Sequence, residues 1–432
     1  MLYARLILLM LLCASPVVAI FDGPVMHGVI AAFAAIGLAI VGRMMRPVEM
    51  QFFISTAGRA VLIATIPALW MLFQLLPIRA FAHPIWMSAE AAIGQPLTGA
   101  ISIDIGAGVL AIGQYLSIVA IGFWSAAVAV DRQRAESILL ALVIGTTLCA
   151  LTVPVGMIFG VLDSQAAQST QMQGLDCAAI GVVIALAALL RAFERHETGH
   201  ANPGRSLTSL LRSFAASAAA LCICAGVLIF AAPHGAMIAA GYGTAIFAGV
   251  VGIRRVGLGP WGIAAVAVPI GLSFLLLVLS SSSLGTTSTT LAFAPQSQAR
   301  AISIGQRILD DTPLAGTGAA TYAALIPIYR DAADRTDYAT APTAAAAIAV
   351  ELGKPALWLI VAASVGAIAW LLRCALGRGR DSFYALAGAC TIATMAAAGF
   401  TNAGILGTAA AALAASSVGL AFAQSKSRTV RT

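Results

Sequence analysis

The stretch "SILLALVIGTTLCALTVPVGMIFG", residues 137–160, contains no charged side chain and almost nothing polar. As a helix rising 1.5 Å per residue it is long enough to cross a hydrocarbon core of about 30 Å. Similar runs recur along the chain at 4–20, 26–41, 60–76, 106–130, 178–193, 214–232, 236–252, 262–279, 356–376, 383–400 and 405–423. Of the 432 residues, 60% are apolar and only 9% are charged, which excludes an ordinary soluble domain. The pattern predicts an all-α polytopic membrane protein of about twelve transmembrane helices. The first nine fall in residues 1–279, a long polar loop containing short helices in 280–354, the last three in 355–423 and a short tail in 424–432.

The formal charge is +7. Its Lys and Arg residues sit in short clusters between spans, including Arg43 and Arg46, Arg132 and Arg134, Arg254 and Arg255, and the tail from Lys426. The positive-inside rule accounts for such clusters, and no nucleic-acid partner is expected. Applied to these spans, the rule places both termini in the cytoplasm. It sends outward "IRAFAHPIWMSAEAAIGQPLTGAISIDI" (78–105), "VLDSQAAQSTQMQGLD" (161–176) and the long loop. The N-terminal "MLYARLILLMLLCASPVVA" has the composition of a signal peptide but reads as a retained first helix, since further spans follow it. The seven cysteines lie mostly in apolar spans, with no Cys-x-x-Cys pair, and read as small buried hydrophobes.

The long loop is the polar exception, and "RAISIGQRILDDTPLAGTGAATYAALIPIYR" (300–330) is its richest part. Ile304, Ile308 and Leu309 have the spacing of one helical face. Arg300, Ser303 and Arg307 fall on one side, setting two guanidinium groups about two turns apart, a spacing suited to a diphosphate. The same arginines would equally serve to solvate an interfacial helix or to meet lipid phosphates. Pro313, Gly316 and Gly318 end the helix in a turn whose amides could approach an anion. No Lys-Ser or Lys-Thr follows, so this is not a nucleotide P-loop.

"HETGH", residues 196–200, matches the zinc-protease pattern literally. Gly199, Asn202, Pro203 and the surrounding arginines mark a solvated connection, and no third ligand is near, so neither metal nor cofactor is expected. His27 and His83 flank spans and read as interfacial residues, whereas His234 opens a span on the outer side.

In order and spacing the loop resembles the O-antigen ligase and polysaccharide polymerase family, multi-pass glycosyltransferases of the bacterial inner membrane. The resemblance rests on Arg300, Pro313, Gly316, Gly318, Tyr322, Pro327 and Tyr329, then Glu351 and Gly353 in "VELGKPALWL". "PHGAMIAAGYGTAIFAGVVGIRR" (233–255) is similar to the family's Ser-Arg-Gly-Ala span, and "GLDCAAIG" (174–181) to its Gly-x-Asn-x-x-Ala entry. The resemblance implies a substrate glycan on undecaprenyl diphosphate, a lipid or saccharide acceptor, and transfer at the periplasmic face without a cofactor. It implies diphosphate or substrate contacts at Arg300, Arg307, Gly316, Gly318, Tyr329, Arg330 and His234.

The chain departs from the family at several positions. Pro342 stands at the family's His, Thr343 at the residue after it, His234 at an Arg, and Asp176 at an Asn. Proline performs no acid-base chemistry. Asp176 and Glu351 are then the candidate acids for accepting a proton. Two other readings stay open: a non-catalytic relative that binds polysaccharide intermediates or assembly proteins, and a transporter or flippase.

Overall fold

A computed structural model describes residues 1–158, 165–199, 207–231, 234–256, 289–295, 298–331, 340–377 and 381–425, the side chains of 165–167, 195–199, 207–210 and 234 excepted. The described residues are built from helices, with no strand among them. In chain order these are α1 (Leu2–Cys13), α2 (Ser15–Ile20), α3 (Pro24–Met44), α4 (Pro47–Gln74), α5 (Pro84–Ile93), α6 (Ile105–Val128), α7 (Arg132–Ile158) and α8 (Gln165–Gly199). There follow α9 (Leu207–Ala231), α10 (His234–Val256), α11 (Ala299–Asp311), α12 (Tyr322–Tyr329), α13 (Ala344–Glu351), α14 (Lys354–Gly377), α15 (Ser382–Thr401) and α16 (Thr408–Ala423).

Among the described residues nine helices are long and apolar enough to cross a membrane: α3, α4, α6 to α10, α14 and α15. Shorter apolar helices, α1 and α16, stand at the two ends of the chain. The protein is a polytopic all-α membrane protein. The expected span at 262–279 lies outside the described residues.

Several boundaries differ from the sequence reading: the expected span 4–20 is broken at Ala14 into α1 and α2, α7 and α9 begin earlier than expected, and two further differences have a clear physical reason. Residues 165–176, expected in an outer loop, form the first turns of α8, because Gln173 and Asp176 find polar partners inside the bundle. Helix α4 begins at Pro47 rather than near residue 60, since Met45 and Arg46 alone complete the turn from α3. Proline at the first helical position starts α3, α4 and α5, where its missing N–H costs nothing. Asp104 Oδ1 caps α6 by accepting from the Ala107 amide at 2.9 Å.

Small residues let the spans approach closely, as expected where apolar packing must replace the hydrophobic drive. Gly419 lies against the Gly122 backbone, leaving no space for a Cβ, and Ser125 Oγ donates to Ser416 O at 2.9 Å in the same α6–α16 contact. Most of α8 and α15 is buried at the centre, while α4 and α14 lie outermost.

The two ends of the bundle differ. At one end Arg132 meets Asp381 at 2.9 Å, Arg191 meets Glu136 at 2.7 Å and Arg254 meets Glu194 at 3.8 Å, joining α7, α8, α10 and α15. The opposite end carries the turns at 21–23 and 402–407 and the packed helices α11, α12 and α13.

Candidate functional site

The loop helices form a small core of their own. The apolar face of α11, with Ile304, Ile308 and Leu309, packs with Tyr322, Leu325 and Ile326 of α12 and Ala345 to Val350 of α13, over Leu357 and Phe400 of the spans. The opposite face carries Arg300, Ser303 and Arg307 outward, all exposed. Arg307 donates to both oxygens of Asp331, Nη1 at 3.0 Å and Nη2 at 3.3 Å, so part of its charge is already answered. Neighbouring Arg330 is exposed. The Tyr329 hydroxyl is pushed up in pKa by burial and by its hydrogen bond to Asp311, a second tie between the ends of α11 and α12.

The glycine turn does a different job from the one expected of it. Gly316 has φ 79° and Gly318 φ 107°, the left-handed region that suits glycine. The Gly316 amide donates to Pro313 O at 2.9 Å, Thr317 to Val350 O at 2.9 Å and Gly318 to Glu351 O at 3.0 Å. The Gly316 amide therefore closes the turn on itself, and the Thr317 and Gly318 amides satisfy the last carbonyls of α13 rather than facing an anion, which corrects the anion-cradle expectation. A Cβ at Gly316 would strike the Glu351 carbonyl, and one at Gly318 would strike Ser102. From beneath, Trp70 Nε1 donates to Leu352 O at 2.9 Å, and the Gln74 side-chain amide donates to Ala315 O at 2.8 Å and Glu351 O at 2.9 Å.

The side chain of Glu351 points to the next helix. Oε1 accepts from the Tyr322 amide at 3.3 Å, and the Ala320 amide also donates to the carboxylate, capping α12. Burial pushes this carboxyl up to about 7, against the pull of those two amides. Burial raises the Tyr322 hydroxyl, with the Glu351 charge adding to the effect.

A second polar centre lies inside the spans at the same end. Asp176 on α8 is buried, 1% exposed, and its Oδ1 accepts from Asn402 Nδ2 at 3.0 Å. Asn402 Oδ1 accepts from the Gly404 amide at 2.7 Å, and Asn402 O accepts from the Ala344 amide at 2.9 Å. Gly235, in the first turn of α10, presses on Thr401 so closely that a Cβ would come within 2.6 Å. The backbone beside Thr343 is thus bonded to the residue that holds Asp176, and the backbone beside His234 packs on the residue before it. The His234 side chain lies outside the described residues.

One turn outward on α8, Gln173 Nε2 donates to Asp22 Oδ2 at 2.7 Å. Asp22 also accepts from the Thr408 amide at 3.2 Å and the Thr408 hydroxyl at 2.8 Å, and pairs with His27 Nε2 at 2.7 Å. His27, read from sequence as interfacial, has a specific carboxylate partner. Asp176 Oδ2 and Gln173 Oε1 are buried with no hydrogen-bond partner among the described residues. The chain matches no known protein family, curated protein or solved structure.

Two acids identified from sequence therefore occupy separate sites at the loop end, Asp176 buried among the spans and Glu351 partly buried under the loop helices, and the arginines occupy its outer surface. Sequence reasoning missed Asn402, Gln173, Gln74 and Asp22. Their only signal was an isolated polar residue within or beside an apolar run. Among the described residues no group of three or more His, Cys, Asp or Glu side chains could hold a metal. The side chains of 196–199 and all of residue 200, the zinc-protease match, lie outside the described residues.

Proposed function

We propose that this chain works in bacterial surface polysaccharide assembly as a membrane glycosyltransferase similar to the O-antigen ligases and polymerases. In this reading it joins a glycan carried on undecaprenyl diphosphate to an acceptor sugar at the loop end of the bundle. That end faces the periplasm, and both termini face the cytoplasm. The observation that carries the reading is the convergence at Asn402. Asp176 and Ala344, which follows Pro342 and Thr343, bond Asn402, and the start of α10 beside His234 packs on the adjacent Thr401; all are at or next to positions marked by the family resemblance.

The chemistry asks for few parts. An acceptor hydroxyl attacks the anomeric carbon, the new C–O bond forms, and the bond to the diphosphate breaks with its electron pair on the leaving oxygen. Arg300, two turns from Arg307 on the exposed face of α11, supplies positive charge to that leaving group. Asp176 is the better placed of the two acids to take the hydroxyl proton. Glu351 spends its carboxylate on the first amides of α12, whereas Asp176 Oδ2 has no described partner.

A second reading, a non-catalytic relative that binds polysaccharide intermediates or assembly partners, is favoured by one feature. Residues 341–347, where the family has its His, are wholly buried and carry no titratable group. The test is the surface polysaccharide profile, lipopolysaccharide and exopolysaccharide alike, of a strain lacking the gene and complemented with the wild type, Arg300→Ala or Asp176→Asn. Loss of polymer or of its attachment, restored only by the wild type, supports the enzyme. Restoration by all three chains supports the binding relative. An unchanged profile on deletion overturns both readings.

A further inference from the structure

We propose that the end of the bundle opposite the loop binds the phosphate of an anionic phospholipid where α7 meets the starts of α1 and α4, held by Arg5 and Arg134. The proposal is independent of the glycan reading. It starts from an imbalance of charge. In the α8, α10 and α15 half of this end each arginine just described has its own acid: Arg132 with Asp381, Arg191 with Glu136 and Arg254 with Glu194. In the other half Arg134 has, among the described residues, only Glu49, at 4.0 Å, and that carboxylate also accepts from the Arg46 amide at 3.5 Å. Arg43 and Arg46 stand exposed on the adjoining turn.

Helix register brings Arg5 to the same place. The Leu12 carbonyl abuts Gly145, and Ser15 Oγ donates to Gly145 O at 3.1 Å. The chain reverses at 21–23, 45–46, 75–104 and 129–131, so α1 and α7 run in the same direction. Arg5, seven residues before Leu12, is then level with Ile138, one turn or about 6 Å along the helix axis from the level of Arg134. Arg5 Nε and Arg134 Nη1 are buried and have no hydrogen-bond partner among the described residues. An unpaired guanidinium leaves its charge unanswered; both side chains are only partly buried, Arg134 24% exposed, so a phosphodiester can bring two anionic oxygens to their remaining nitrogens. The flanks fit a lipid better than a free ion. Leu2, Tyr3, Met44 and Val48 are 64%, 69%, 50% and 78% exposed, giving acyl chains apolar surface at the same end as the two arginines.

The test uses the full-length chain, purified in detergent and analysed by native mass spectrometry with dioleoyl phosphatidylglycerol or dioleoyl phosphatidylcholine. The wild type is expected to retain phosphatidylglycerol selectively. Arg5→Gln with Arg134→Gln should bind it roughly tenfold more weakly. Arg212→Gln with Arg255→Gln, which removes the same charge from exposed positions, should bind it as the wild type does. Equal loss in both double variants reduces the effect to net charge and overturns the site. So does a wild type with no preference between the lipids, whatever the folding of the variants, or full displacement of the lipid by millimolar inorganic phosphate. Arg5→Lys with Arg134→Lys, which keeps the charge, should retain most of the binding.

Discussion

The side-chain nitrogen of Gln74, at the top of α4, donates to the carbonyl oxygen of Glu351 at 2.9 Å, joining residues 277 positions apart in the chain. The same nitrogen reaches Ala315 O, and Gln74 is 0% exposed. One buried amide therefore ties an early span to the glycine turn and to the end of α13. Gln74→Ala removes both hydrogen bonds and leaves a hole. Expected is a loss of about 2–3 kcal/mol in stability, read by denaturant unfolding in detergent, with faster proteolysis within residues 312–331. Unchanged stability and proteolysis would mean that the loop is held chiefly by its own small core.

The glycines of the turn should differ sharply from those on outer spans. Gly316→Ala and Gly318→Ala each combine an unfavourable positive φ with a collision against backbone or Ser102, and each is expected to cost about 2–4 kcal/mol. Gly28→Ala, in α3 with open space around it, should be neutral or stabilising by about 0.5–1 kcal/mol. Thermal unfolding of the three variants in one detergent is the check.

Glu351 makes stability depend on pH. Its carboxyl titrates near 7 in the folded protein and near 4.5 when solvated in the unfolded chain. Between these values the unfolded chain binds fewer protons than the native one, so stability falls as pH rises from about 4.5 to 7 and levels off above. The contribution lost over that window is up to about 3 kcal/mol. In Glu351→Gln this component of the pH dependence should vanish. Parallel stability profiles for the two proteins from pH 4 to 8 would refute the assignment.

Asp176 and Asn402 should respond in opposite ways. Asn402→Ala strips the buried acid of its one described side-chain partner and releases the Gly404 amide, so a loss of about 2–4 kcal/mol is expected. Asp176→Asn leaves an amide oxygen to accept from Asn402 and removes the cost of burying a charge, so the fold should be retained or strengthened. Under the proposed function the same change abolishes glycan transfer. Circular dichroism and unfolding, read beside the polysaccharide profile, separate the two effects.

What could be read from the chain beforehand follows from how local each signal is. The span at 137–160 needed only its own composition, and the two faces of α11 needed only the spacing of Ile304, Ile308 and Leu309 against Arg300 and Arg307. The start of α8 was misread because "QSTQMQGLD" looks like a solvated loop. It is helical within the bundle because Asp22 and Asn402, each more than 150 residues away, supply partners for Gln173 and Asp176. The buried alanines of α13 carried no pattern that distinguished a packed helix from a linker.

Taken alone, then, the sequence determined that this is a multi-pass helical membrane protein with one polar excursion. Apolar length and helical periodicity are sums over neighbouring residues, and they hold wherever the segment is placed. Tertiary structure alone decided that the Gly316 and Gly318 turn closes over α13, that Glu351 caps α12, and that Asp176 lies inside the bundle against Asn402. Each of those outcomes depends on which distant donor or acceptor meets a buried polar group, and in a nearly dry interior that choice of partner sets its energy.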